Sequence, residues 1–119
     1  MPYIDIKTNQ KLTREQKIVL TEKLTAAFAS SSSAECAANI QYSIEDDVFI
    51  NFRGNYNDPS ANIYVKPGYL RPKEDYEKIV YAFFPVLTEI LDAPKERIYI
   101  CFNEVRAWGF NGIYVAPKE

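Results

Sequence analysis

Residues 1–9 read MPYIDIKTN, with a proline directly behind the first methionine and an alternating pattern that begins at once. Ile4 and Ile6 fall on one side and Tyr3, Asp5 and Lys7 on the other, the period-2 signature of a strand with one buried face. Pro2 belongs to the isoleucine side by the same count. Proline is tolerated at the first residue of a strand, where its fixed φ suits an extended chain and its missing N–H is not needed. It also carries a chemical implication. Removal of a methionine that precedes a small residue would leave Pro2 with a secondary amine, and such an amine can act as a base.

The pattern continues downstream. Thr13 and Gln16 form a capping box ahead of a stretch in which Leu20, Leu24, Ala27 and Phe28 recur at helical spacing, and the polar run Ser30 to Ser33 predicts the helix end. Ile40, Tyr42 and Ile44 then alternate with Gln41 and Ser43, a second strand. Val48 to Phe52 predicts a short strand, followed by a loop rich in Gly, Asn, Asp and Pro. NIYVKPG, residues 62–68, predicts a further strand. Pro72 opens a long helix with Tyr76, Ile79, Val80, Phe83, Leu87, Ile90 and Leu91 toward the core, which Pro85 should kink or split. RIYICFNE, residues 97–104, is strand-like, and WGFNGIYVAP closes the pattern with a turn and a short strand.

Strand, helix, strand therefore occurs twice, over about residues 2–45 and 62–104, in one domain spanning residues 1–119. The helices are long enough to serve as crossovers between parallel strands, and each strand has one apolar face. The predicted fold class is α+β, a two-layer sandwich of a four-stranded mixed sheet with both helices on one face. The bare face would carry Tyr64, Tyr99, Cys101 and Asn103, residues suited to an oligomer interface or channel.

Composition removes several function classes. A net charge of −2 and a pI near 5.2 supply no basic excess for nucleic acid or an anionic membrane. No run approaches the roughly 20 apolar residues of a membrane span, and no signal-peptide pattern opens the sequence, so a cytoplasmic location is expected. Histidine is absent, which removes Ser/His and Cys/His nucleophiles together with the commonest metal ligand. Cys36 and Cys101 make no CxxC, so neither a dithiol nor a metal site is expected. Cys101 reads as a small buried residue.

The N-terminal MPYIDIKTN, the Phe52 and Gly54 of NFRGN, APKERIYICFNE and WGFNG, in this order and at this length, resemble the tautomerase superfamily, most closely its macrophage migration inhibitory factor branch. The resemblance covers nearly the whole chain. It implies a homotrimer of a duplicated βαβ unit, with no cofactor and with sites near subunit boundaries. Carried over by position, it makes Pro2 the catalytic base of a keto–enol tautomerisation, places Tyr99 at a neighbouring subunit's site, and makes Trp108 and Phe110 an aromatic wall. Three departures stand out. The family's Gly-Lys-Pro after the first helix is replaced by SSSSAECAAN, Cys101 stands where mammalian relatives carry asparagine, and the family's CxxC is replaced by PSAN.

Burial lowers the pKa of an amine, and a general base works best with a pKa near the operating pH. The resemblance implies an enolisable carboxylate such as phenylpyruvate as the substrate. Its acid group calls for a cation, and Arg71, with Lys66 in reserve, follows the third strand; guanidinium pairs carboxylate bidentately. Tyr99 would donate to the developing enolate. Cys101 would line the same site. Two alternatives remain open at this level: a hydratase or dehalogenase in which a carboxylate such as Glu104 activates water, and a non-catalytic signalling protein that has lost its substrate grip.

Overall fold

The computed structural model describes residues 2–32, 34–68 and 70–116. Met1, whose removal the sequence reading invokes, lies outside them. Nine elements follow in chain order: β1 (Tyr3–Thr8), α1 (Arg14–Ser31), α2 (Ala34–Ala38), β2 (Gln41–Glu45), β3 (Ala61–Lys66), α3 (Lys73–Leu91), β4 (Ile98–Phe102), β5 (Trp108–Phe110) and β6 (Ile113–Val115). A single 3₁₀ turn at Lys95–Arg97 leads into β4.

The four long strands form one sheet in the order β2-β1-β3-β4. β1 lies parallel to β2 and antiparallel to β3, and β3 lies parallel to β4, so the sheet is mixed. Each parallel pair is joined through one long helix, as parallel neighbours require. Alternation sets the faces: Ile4, Ile6, Ile63 and Val65 are fully buried, whereas Tyr3, Asp5, Tyr64 and Lys66 keep part of their surface. Leu20, Leu24 and Phe28 from α1 and Ile79, Phe83 and Leu87 from α3 join the same core. The rings of Phe28 and Phe83 meet at 6.4 Å, so both helices cover one face. Each such side chain contributes about 1.5–3 kcal/mol when fully buried.

Local signals placed the helix ends. Thr13 accepts from the backbone of Gln16 at 3.1 Å, and the Gln16 side chain accepts from the backbone of Thr13 at 2.8 Å, which satisfies donors the first turn leaves open. Asp92, at φ 50°, closes α3 in the left-handed conformation.

Four expectations need correction. Residues 48–52 form no strand; the segment holds a single bridge between Phe52 and Asn55. Arg97 ties this loop down by donating to the carbonyls of Asn55, Asp58 and Pro59, so side-chain donors replace a ladder. The serine-rich stretch is followed by the extra helix α2 before β2 begins. Pro85 does not split α3, which runs through it for 19 residues. Thr88 there returns its hydroxyl to the carbonyls of Phe84 and Pro85 at 2.9 and 3.2 Å. The C-terminal strand is half of an antiparallel hairpin, β5 with β6, turning at Asn111 and Gly112.

Candidate active site

The register brings several chain ends to one edge of the sandwich. Tyr3 pairs with Gln41 and with Lys66, so the start of β1 adjoins the start of β2 and the end of β3. β4 runs parallel to β3 and ends there too, with the Asn103 N–H donating to the Val65 carbonyl at 2.9 Å. Pro2 is buried at this edge, and its carbonyl accepts from the Gln41 N–H at 3.1 Å.

Arg71 lies in the segment ahead of α3 and packs against the end of α1. Only 7% of it is exposed, its Nη1 donates to Ser32 Oγ at 2.7 Å, and its Cζ lies 5.2 Å from the Phe28 ring centre. Phe28 belongs to the core, so this cation sits on the covered side of the sheet, the side to which alternation assigns Pro2. Lys66 does the opposite. Its ammonium lies 4.0 Å from Asp5 and 5.2 Å over the Tyr3 ring, which holds it on the bare face.

Sequence reasoning missed how Tyr76 would be used. It read as a core position because it sits on the apolar stripe of α3, and its ring does pack on Phe102 at 4.5 Å. Its hydroxyl, however, donates to Glu104 at 2.7 Å, joining the first turns of α3 to the segment after β4. Burial, then the hydrogen bond and charge of Glu104, push the phenol up to about 12. Periodicity reports the ring but not its polar tip.

The remaining candidates lie elsewhere within the chain. Tyr99 pairs with Asn62, which pairs with Lys7, five residues along β1 from Pro2 and about 16 Å away at strand spacing. It projects from the bare face, 54% exposed, and meets Phe52 edge-on at 6.2 Å. Cys101 is exposed on that face in register with Tyr64, which corrects the expectation of a buried thiol: the face it occupies has no covering layer within the chain. Trp108 and Phe110 stand on the hairpin, which begins a few residues beyond the end of β4. Trp108 is half-buried with an indole N–H that has no partner among the described residues, and Phe110 is 43% exposed. Together with Ile113 and Tyr114 they line an open groove of about 560 Å³. One chain thus buries Pro2 and Arg71 on the covered side of the sheet and joins Tyr76 to Glu104, while Tyr99 and Cys101 project from the opposite face. Among the described residues no cluster of acidic or cysteine side chains is arranged to hold a metal ion.

Two βαβ units sharing one four-stranded mixed sheet, with both long helices on one face, make the architecture of the tautomerase fold. The profile of the Macrophage migration inhibitory factor (MIF) family matches residues 1–116, and the chain belongs to that family. Solved structures share the fold at low identity. Leishmania major MIF2 is 17% identical over 97% of each chain with a TM-score of 0.86. Pt0534, in a structure inactivated by 2-oxo-3-pentynoate, is 20% identical over 92% of this chain and 93% of that one, with a TM-score of 0.80. A fused 4-OT protein described as a symmetric trimer is 17% identical over 87% and 85%, with a TM-score of 0.72. No curated protein matches the sequence.

Proposed function

We propose that the chain is a cofactor-independent keto–enol tautomerase acting on a 2-oxo acid of the phenylpyruvate kind. The observation that carries this reading is the burial of Pro2 at the sheet edge, with the Arg71 guanidinium buried on the same covered side of the sheet against Phe28. With Met1 removed, Pro2 is a secondary amine in apolar surroundings. Burial favours its neutral, basic form, and positive charge from Arg71 on the same covered side acts in the same direction. The amine takes a proton from the carbon next to the ketone, the electron pair moves onto the ketone oxygen, and the protonated amine delivers the proton to that oxygen; in the reverse direction it carries the enol proton back to carbon. Arg71 supplies positive charge for the acid group and the developing enolate.

Tyr99 lies on the other face and about 16 Å along β1 from its own Pro2, so it serves the reaction only from a neighbouring copy. A homotrimer fits this arrangement. The bare sheet face carries Tyr3, Tyr64 and the half-exposed Tyr99 with no layer over them among the described residues, the hairpin residues Ile113 and Tyr114 are 64% and 71% exposed, and the 4-OT neighbour is a symmetric trimer. Trp108 and Phe110 then wall the site. Inactivation of Pt0534 by a 2-oxo acid bearing an alkyne fits a substrate of the same class.

The test is the initial rate of phenylpyruvate tautomerisation. Pro2→Ala should lower it by about 10²–10⁴-fold, the usual contribution of a positioned general base. A rate that Pro2→Ala leaves unchanged rules the proposal out. One observation favours a second reading: Glu104 is at the same edge, bonded to Tyr76. If its carboxylate activates water, 3-haloacrylates release halide, and Glu104→Gln abolishes that release.

A further inference from the structure

Residues 52–55 form a tight reverse turn, in which the Phe52 N–H donates to the Asn55 carbonyl and the Asn55 N–H to the Phe52 carbonyl, both at 3.0 Å. Its central residues, Arg53 and Gly54, have φ of 53° and 83°. Those are the signs of a type I′ turn, whose first central position favours Asn, Asp or Gly. Arginine is strained there, because its Cβ crowds the following carbonyl. Strain kept at one position is a reason to ask what the side chain does.

The Arg53 side chain is exposed, lies with Cζ 5.0 Å from the Phe52 ring centre, and makes no ion pair among the described residues. Arg97 also lies over Phe52, at 5.5 Å, but it is 6% exposed and committed to three backbone carbonyls. Tyr99 touches the same ring edge-on at 6.2 Å. Phe52 therefore gathers one uncommitted guanidinium and one exposed phenol into a single unit.

We infer that Arg53 is a carboxylate-binding specificity residue, delivered together with Tyr99 into the Pro2 site of a neighbouring copy. The inference rests on the reading above that Tyr99 serves a neighbour. Arg71 is buried with Nη1 on Ser32, so its charge lies beneath the site, on the covered side. A carboxylate accepts at two oxygens, and a planar guanidinium arriving from the open side matches both. Arg53 thus adds an open-side hold on the acid group above the buried charge of Arg71, while Tyr99 faces the enolate oxygen, and the spacing between Arg53 and Tyr99 is set by Phe52.

Calorimetric titration of phenylpyruvate into the assembled protein, in a Pro2→Ala background, reads binding without turnover. Arg53→Gly is the informative change, because glycine relieves the strained φ while removing the cation, so the melting temperature should not fall. The expected result is about tenfold weaker binding of the acid, with the affinity of its uncharged methyl ester unchanged. Equal affinity for the acid with and without Arg53 overturns the inference, as does an equal loss for acid and ester. Arg53-dependent binding in a protein that does not turn phenylpyruvate over keeps the inference and removes the tautomerase reading. Pro2-dependent turnover with Arg53-independent binding does the reverse.

Discussion

Among single residues, Pro2 and Tyr76 differ in how far the sequence revealed them. Alternation through Ile4 and Ile6 placed Pro2 on the covered face, and it is buried there. Tyr76 gave no such warning, since its hydrogen bond to Glu104 joins positions 28 apart in sequence. Its titration is nevertheless testable. Tyr76 and Tyr42 are both pushed up to about 12, Tyr42 chiefly by burial, whereas an unfolded tyrosine ionises near 10. Above that pH the unfolded chain gives up protons that the folded chain keeps. Their contribution to stability is therefore complete below about 10 and lost as pH rises toward 12. In a phenolate absorbance titration, at least two of the nine tyrosines should ionise late, and the unfolding midpoint should fall across the same window. Tyr76→Phe should make that fall shallower. Nine tyrosines ionising together near 10 would contradict the assignment.

Among the elements, α3 makes opposite predictions at two neighbouring positions. Phe83 is fully buried against Phe28, so Phe83→Ala should cost about 3–5 kcal/mol in denaturant unfolding. Pro85 is exposed inside the helix, where it removes a backbone donor. Pro85→Ala should raise stability by up to about 3 kcal/mol; a loss would mean that the proline makes contacts its exposure does not suggest. The crossovers and the four-stranded sheet were legible because 3.6-residue and 2-residue periods persist over whole elements. The 46–61 segment was not, because its apolar residues Val48 to Phe52 carry strand-like composition without a partner strand. Instead Arg97, a residue that local reading assigns to the surface, holds the segment through three carbonyls. The helix α2 escaped notice for a related reason: five residues are too few to show a period. The candidate site was legible only in part: alternation predicted the burial of Pro2, while the contacts of Arg71 with Ser32 and Phe28 join distant segments that no local pattern reveals.

Taken as a whole, one chain leaves much large apolar and aromatic surface open: Phe49, Tyr56, Tyr99, Ile113 and Tyr114 are all more than half exposed. Patches of this kind mark interfaces. The proposed trimer should sediment at three times the 13.7 kDa chain mass and melt at a temperature that rises with protein concentration. Cys101, exposed on the bare face of a single chain, should react slowly with a thiol reagent in the assembly and quickly after dissociation. Fast reaction at concentrations where the assembly persists would place the interface elsewhere. The central claim concerns the Pro2 amine, and 2-oxo-3-pentynoate tests it most directly, since an amine adds to an alkyne conjugated with a ketone. After incubation, intact and peptide mass measurement should find Met1 absent and one adduct per chain, carried by the nitrogen of Pro2. A retained Met1, or an unmodified Pro2 in protein that still turns phenylpyruvate over, would contradict it.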